Sequence, residues 1–83
     1  MNKESLIEQL ADKEHYSWSR WMRYLFTKCE KTSDGSLTIP GHLVAHWLRQ
    51  AGTPYAELSE KEKQSDRNEV AHILPLIEEY AHQ

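Results

Sequence analysis

The sequence predicts an all-α fold, a small orthogonal bundle of three or four helices led by a long N-terminal helix. Three observations predict it. Apolar residues recur at helical spacing over 4–30 without a Gly or Pro, the sequence Ser59-x-x-Glu62 opens a second long helical pattern, and no strand-like alternation exceeds a few residues. At 83 residues the chain makes one domain, spanning 1–83, with a small margin of stability.

In the first segment Leu6, Ile7, Leu10, Ala11, Trp18, Trp21, Met22, Leu25 and Cys29 fall on one arc of a helix. The stretch "TSDGS" at 32–36 is a turn, with Asp34-Gly35 supplying the permissive backbone. Thr38 is then expected to cap a second helix, with Pro40 in its first turn. That helix runs through "GHLVAHWLRQ" and stops near Gly52, and "GTPY" at 52–55 is an extended link. Ser59 and Glu62 form a capping box for the last helix. Pro75 removes a backbone donor inside it, so a kink or division is expected near Ala71–Leu74. The elements are expected to close into a compact bundle.

Charged residues interrupt both apolar arcs. Glu14 sits between Leu10 and Trp18, while Lys63 and Asp66 lie in the line of Val70, Ile73, Leu74 and Ile77, with Arg67 at its edge. An isolated buried carboxylate costs several kcal/mol, so Glu14 is expected to pair with Lys63 or Arg67, Asp66 completing the network. Such a network either braces two helices or lines a pocket and offers Arg or Lys to a ligand anion.

Composition narrows the function. The hydrophobic share of 39% is low, and three Trp and four Tyr supply much of the available core. A net charge of -3 argues against a nucleic-acid duplex as partner. Residues 18–31 nevertheless hold Arg20, Arg23, Lys28 and Lys31 against Glu30 alone, a local basic patch suited to a small anion. The single Cys29 excludes a disulfide framework and a cysteine zinc site. His42 and His46 have the spacing of a helical metal pair, but no third ligand presents itself, so neither metal nor cofactor is expected. There is no Gly-rich phosphate loop and no G-x-S-x-G, and the position of Cys29 is that of a buried thiol, so no enzyme is expected. No signal-peptide pattern and no apolar run near 18 residues is present, which reads as a cytoplasmic protein without a membrane partner.

The segments "HYSW" (15–18) and "PYAELSEKEKQSDR" (54–67) together resemble the ryanodine-receptor repeat, or RyR domain. That pattern runs His-x-x-Trp on a first helix, a Pro/Tyr-x-x-Leu link, then Glu/Lys-x-x-Asp-Arg opening a helix. The likeness covers most of residues 10–77, and in full the chain is similar to small stand-alone RyR-like proteins of bacteriophages and bacteria. The receptors' Gly-Trp-x-Tyr-Gly segment is missing; "WMRYLF" continues helically instead, so contacts made by that segment do not carry over.

In the receptors two repeats face each other around an adenine nucleotide, its base on the Trp of His-x-x-Trp and its phosphates on basic side chains. The resemblance therefore implies a non-enzymatic module for an adenine-containing or cyclic nucleotide, with Trp18 as stacking platform. His15 orients Trp18 or donates to the ligand. Arg20 and Arg23 follow it in sequence without matching strict family positions. Trp47 and Tyr55 are further aromatic candidates, and Lys63 and Arg67 further cationic ones. A homodimer or higher homo-oligomer would rebuild the facing pair. In a phage such a protein would act in the host cytoplasm as a sponge for immune signalling nucleotides, an expectation by analogy. The competing expectation is a protein-interaction module without a small ligand.

Overall fold

Asn2 starts the first helix: its side chain accepts a hydrogen bond from the Ser5 amide at 2.8 Å, satisfying one of the free donors of the first turn. The computed structural model describes residues 1–83. Helix α1 runs Lys3–Lys28, about 39 Å at 1.5 Å per residue, and ends where Cys29 turns extended. Strands β1 (Glu30–Lys31) and β2 (Leu37–Thr38) then form an antiparallel hairpin, with Glu30 opposite Thr38 and Lys31 opposite Leu37. Gly35 has φ 88° in its turn, where an L side chain would be strained. Helix α2 is Gly41–Ala51, a 3₁₀ turn follows at Tyr55–Glu57, and α3 is Glu60–Ala81.

Two local readings change. Thr38 does not cap α2, because it is taken by the hairpin and donates its hydroxyl to the Glu30 carbonyl. Pro40 precedes the helix instead, with no side-chain cap. Helix α3 is continuous through Pro75 rather than divided. Ala71 and Pro75 are both exposed, so the carbonyl that loses its donor can be hydrated. The Ser59–Glu62 capping box forms in full: the Ser59 hydroxyl accepts from the Glu62 amide and the Glu62 carboxylate accepts from the Ser59 amide, each at 3.1 Å.

The larger correction concerns compactness. The three helices and long N-terminal helix are present, but the molecule is a slab measuring 53 × 34 × 16 Å. Its radius of gyration is 16.9 Å, against about 12 Å for a compact chain of this length. No residue is fully buried, and the accessible surface is 6612 Å² where about 5,200 Å² is usual for 9.8 kDa. Helices α1 and α3 are joined by polar contacts: the Ser17 hydroxyl donates to Glu69 at 3.0 Å, Arg20 pairs with the same carboxylate, and Tyr16 meets the His72 ring edge-on. The charges that interrupted the apolar arcs do not meet. Glu14 is exposed and has no ion-pair or hydrogen-bond partner. Arg67 turns instead to Glu60 two turns earlier on its own helix, at 2.7 Å.

Candidate functional site

Helical spacing brings Trp18 and Trp21 to adjacent turns of α1, and Trp47 projects from α2 towards them. Trp21 and Trp47 meet edge to face, their centroids 5.5 Å apart at 72°, and Trp21 also leans on Tyr24. Trp18 takes no part in that cluster. Its ring lies nearly parallel to His15, 6.1 Å away at 22°, and keeps 57% of its surface exposed. The Ser19 hydroxyl lies 3.4 Å from His15 Nε2 on the next turn, which helps to fix the imidazole. The outcome is one aromatic pair that joins helices and one aromatic face that remains open.

Between α1, α2 and the first half of α3 lies an open cleft of about 1350 Å³. Trp18, Arg20, Trp21, Trp47 and Arg49 line it, with Asp66 and Glu69 on the α3 side. Its two arginines are both engaged. Arg20 is paired with Glu69, and Arg49 donates to Glu62 at 2.8 Å. Glu62 is held below the usual carboxylate range first by the Ser59 hydroxyl, then by the Ser59 amide and Arg49. An anion entering the cleft therefore meets guanidinium groups already holding carboxylates. At these guanidinium groups it exchanges one partner for another, while Lys13 and Lys61 line the same cleft without an ion-pair partner.

The residues expected to form a site divide into three groups. Trp18, Arg20 and Trp47 come together in the cleft, with His15 backing Trp18 from outside its lining. Tyr55 lies in a separate shallow hollow of about 450 Å³ that shares Trp47, and the Lys63 ammonium sits 5.8 Å from the Tyr55 ring centre. Arg23 and Arg67 do not line the cleft: Arg23 is exposed and unpaired, while Arg67 is held by Glu60 and Gln64. The Glu60 carboxylate raises the Arg67 pKa and is itself lowered by it.

Trp21 and Arg49 were not among the residues expected to form the site. Trp21 falls in the centre of the apolar arc and reads as core, and Arg49 reaches the cleft through a tertiary contact with α3. No spacing rule along one helix reveals such a contact. His42 and His46 are both exposed, and no three His, Cys, Asp or Glu side chains converge. No helix is long and apolar enough to cross a membrane. No protein-family model, curated protein or solved structure matches the chain.

Proposed function

We propose that this chain is a non-enzymatic module that binds a small anionic nucleotide, adenine-containing or cyclic, in the open cleft. The observation that carries the proposal is Trp18: an indole more than half exposed, backed by a nearly parallel imidazole, lining an open cleft that also holds Trp21, Trp47 and two arginines among mostly polar side chains. A base stacked on such a ring contributes about 1–3 kcal/mol. Arg20 and Arg49 then take phosphate oxygens by releasing Glu69 and Glu62, an exchange of one charge-assisted pair for another. The resemblance of "HYSW" and "PYAELSEKEKQSDR" to RyR repeats supports the same assignment of Trp18. By analogy with small phage proteins of that type, the role is sequestration of a signalling nucleotide in the host cytoplasm.

A thermal-shift panel of mono-, di- and cyclic nucleotides tests this reading. The matching nucleotide raises Tm, Trp18→Ala removes the shift while leaving the fold, and the ligand is recovered intact after denaturation. Recovery of a degraded nucleotide would make the protein an enzyme instead. A second reading, a protein-interaction module, is favoured by the absence of any buried residue and by the many exposed apolar side chains. A flat response across the panel together with one specific protein partner would support it.

A further inference from the structure

Helix α2 covers only one end of the long helices. At 11 residues it is about 16 Å long, whereas α1 has 26 residues and α3 has 22. Its contacts fall at Trp21 and Glu62, towards the C-terminal end of α1 and the start of α3. The other end of the slab has no third layer. There, Ile7 lies three turns before Trp18 on the same line of α1, and Val70, Ile73, Leu74 and Ile77 follow one another along α3. Trp18, Val70 and Ile73 all line one cleft, which places the two lines on the same side of the slab. Ile7 and Val70 are each 52% exposed, and Leu74 and Ile77 each 44%. From Ile7 to Trp18 and from Val70 to Ile77, Glu14 is the only charged side chain on these lines.

We infer that a second copy of this chain covers the face formed by Ile7, Val70, Ile73, Leu74 and Ile77. The area argues for it. The chain exposes about 1,400 Å² more than a compact protein of its mass, and a stable pairwise interface takes about 800 Å² from each partner. A deficit of that size belongs to the fold itself, because no residue is buried without a cover. The cover must therefore be present whenever the chain is folded, a condition that an equimolar second copy meets. The face also suits self-contact: it is apolar with Glu14 as its one charge, so two copies related by a two-fold axis meet with little like-charge repulsion. Val70 and Ile73 line the cleft as well as this face, so the second copy borders the proposed nucleotide site, but the inference rests on exposed apolar area and not on the nucleotide reading.

Sedimentation equilibrium and thermal melting of the 83-residue chain at 1–100 µM test it. The expected mass is twice 9.8 kDa. Tm should fall by roughly 4 °C for each tenfold dilution, because unfolding is coupled to dissociation. Ile77→Asp should lower the mass to that of one chain or lower Tm at fixed concentration. Leu48→Ser, at a side chain 68% exposed on α2 and outside this face, should change neither. A 9.8 kDa species with a cooperative Tm unaffected by dilution would overturn the inference. So would an assembly that keeps both mass and Tm in Ile77→Asp, or a single chain that does not fold at any of these concentrations.

Discussion

Glu69 of α3 accepts from two residues one turn apart on α1, the Ser17 hydroxyl at 3.0 Å and the Arg20 guanidinium. This carboxylate both holds the long helices together and occupies a cation that the proposed ligand needs. Both side chains of the ion pair are nearly half exposed, so solvent screens it and its contribution to stability is about 1 kcal/mol or less.

Glu69→Gln separates those two roles. The amide keeps the shape and can still accept from Ser17, but without the charge it competes only weakly for Arg20. Nucleotide affinity should rise by about 3- to 10-fold, equivalent to roughly 1 kcal/mol, when measured by isothermal titration calorimetry. A fall in affinity would mean that Glu69 serves to hold Arg20 in place for the ligand.

Ser59→Ala removes the hydroxyl that accepts from the Glu62 amide at the start of α3. The loss should be about 1 kcal/mol, lowering Tm by about 4–8 °C, and Ser59→Thr should restore most of it. Calorimetric melting of the three proteins checks this. An unchanged Tm in Ser59→Ala would show that this capping box does not stabilise α3.

The capping box was legible because it is local: four consecutive residues contain both halves of it. Gly52 at the end of α2 was legible for the same reason. Thr38 was misread because its fate depends on Glu30, eight residues away across a turn, and hairpin pairing leaves little trace in two-residue strands. The charges on the apolar arcs were misread on a different ground. Periodicity correctly placed Glu14 among apolar neighbours, but it does not reveal whether that arc meets the same chain, another molecule or water. The same limit applies to the site: Trp18 stands out in the sequence, whereas Arg49 enters only when α2 folds against α3.

The hairpin turn should respond to acid. Asp34 accepts from the Thr32 hydroxyl and from the Ser36 amide at 2.9 Å, and these bonds, Thr32 first, lower its pKa from 3.8 to about 2. A carboxyl whose folded pKa is depressed stabilises the fold above its unfolded value. That contribution should fade as pH drops from about 4 towards 2. In carbon NMR the Asp34 carboxyl should titrate near 2, with the Ser36 amide proton following it and losing that response in Asp34→Ala. A midpoint near 4 would contradict the turn geometry.

The central claim is that Trp18 is the ligand platform, and the three indole N–H signals of the chain test it most directly. Proton–nitrogen NMR, with the Trp18 signal assigned by its loss in Trp18→Phe, should be followed during titration with adenine mono-, di- and cyclic nucleotides. The claim predicts that one of them moves the Trp18 signal strongly and saturably, with smaller shifts at Trp21 and Trp47, which line the same cleft. A Trp18 signal unmoved by every nucleotide at millimolar concentration would contradict it.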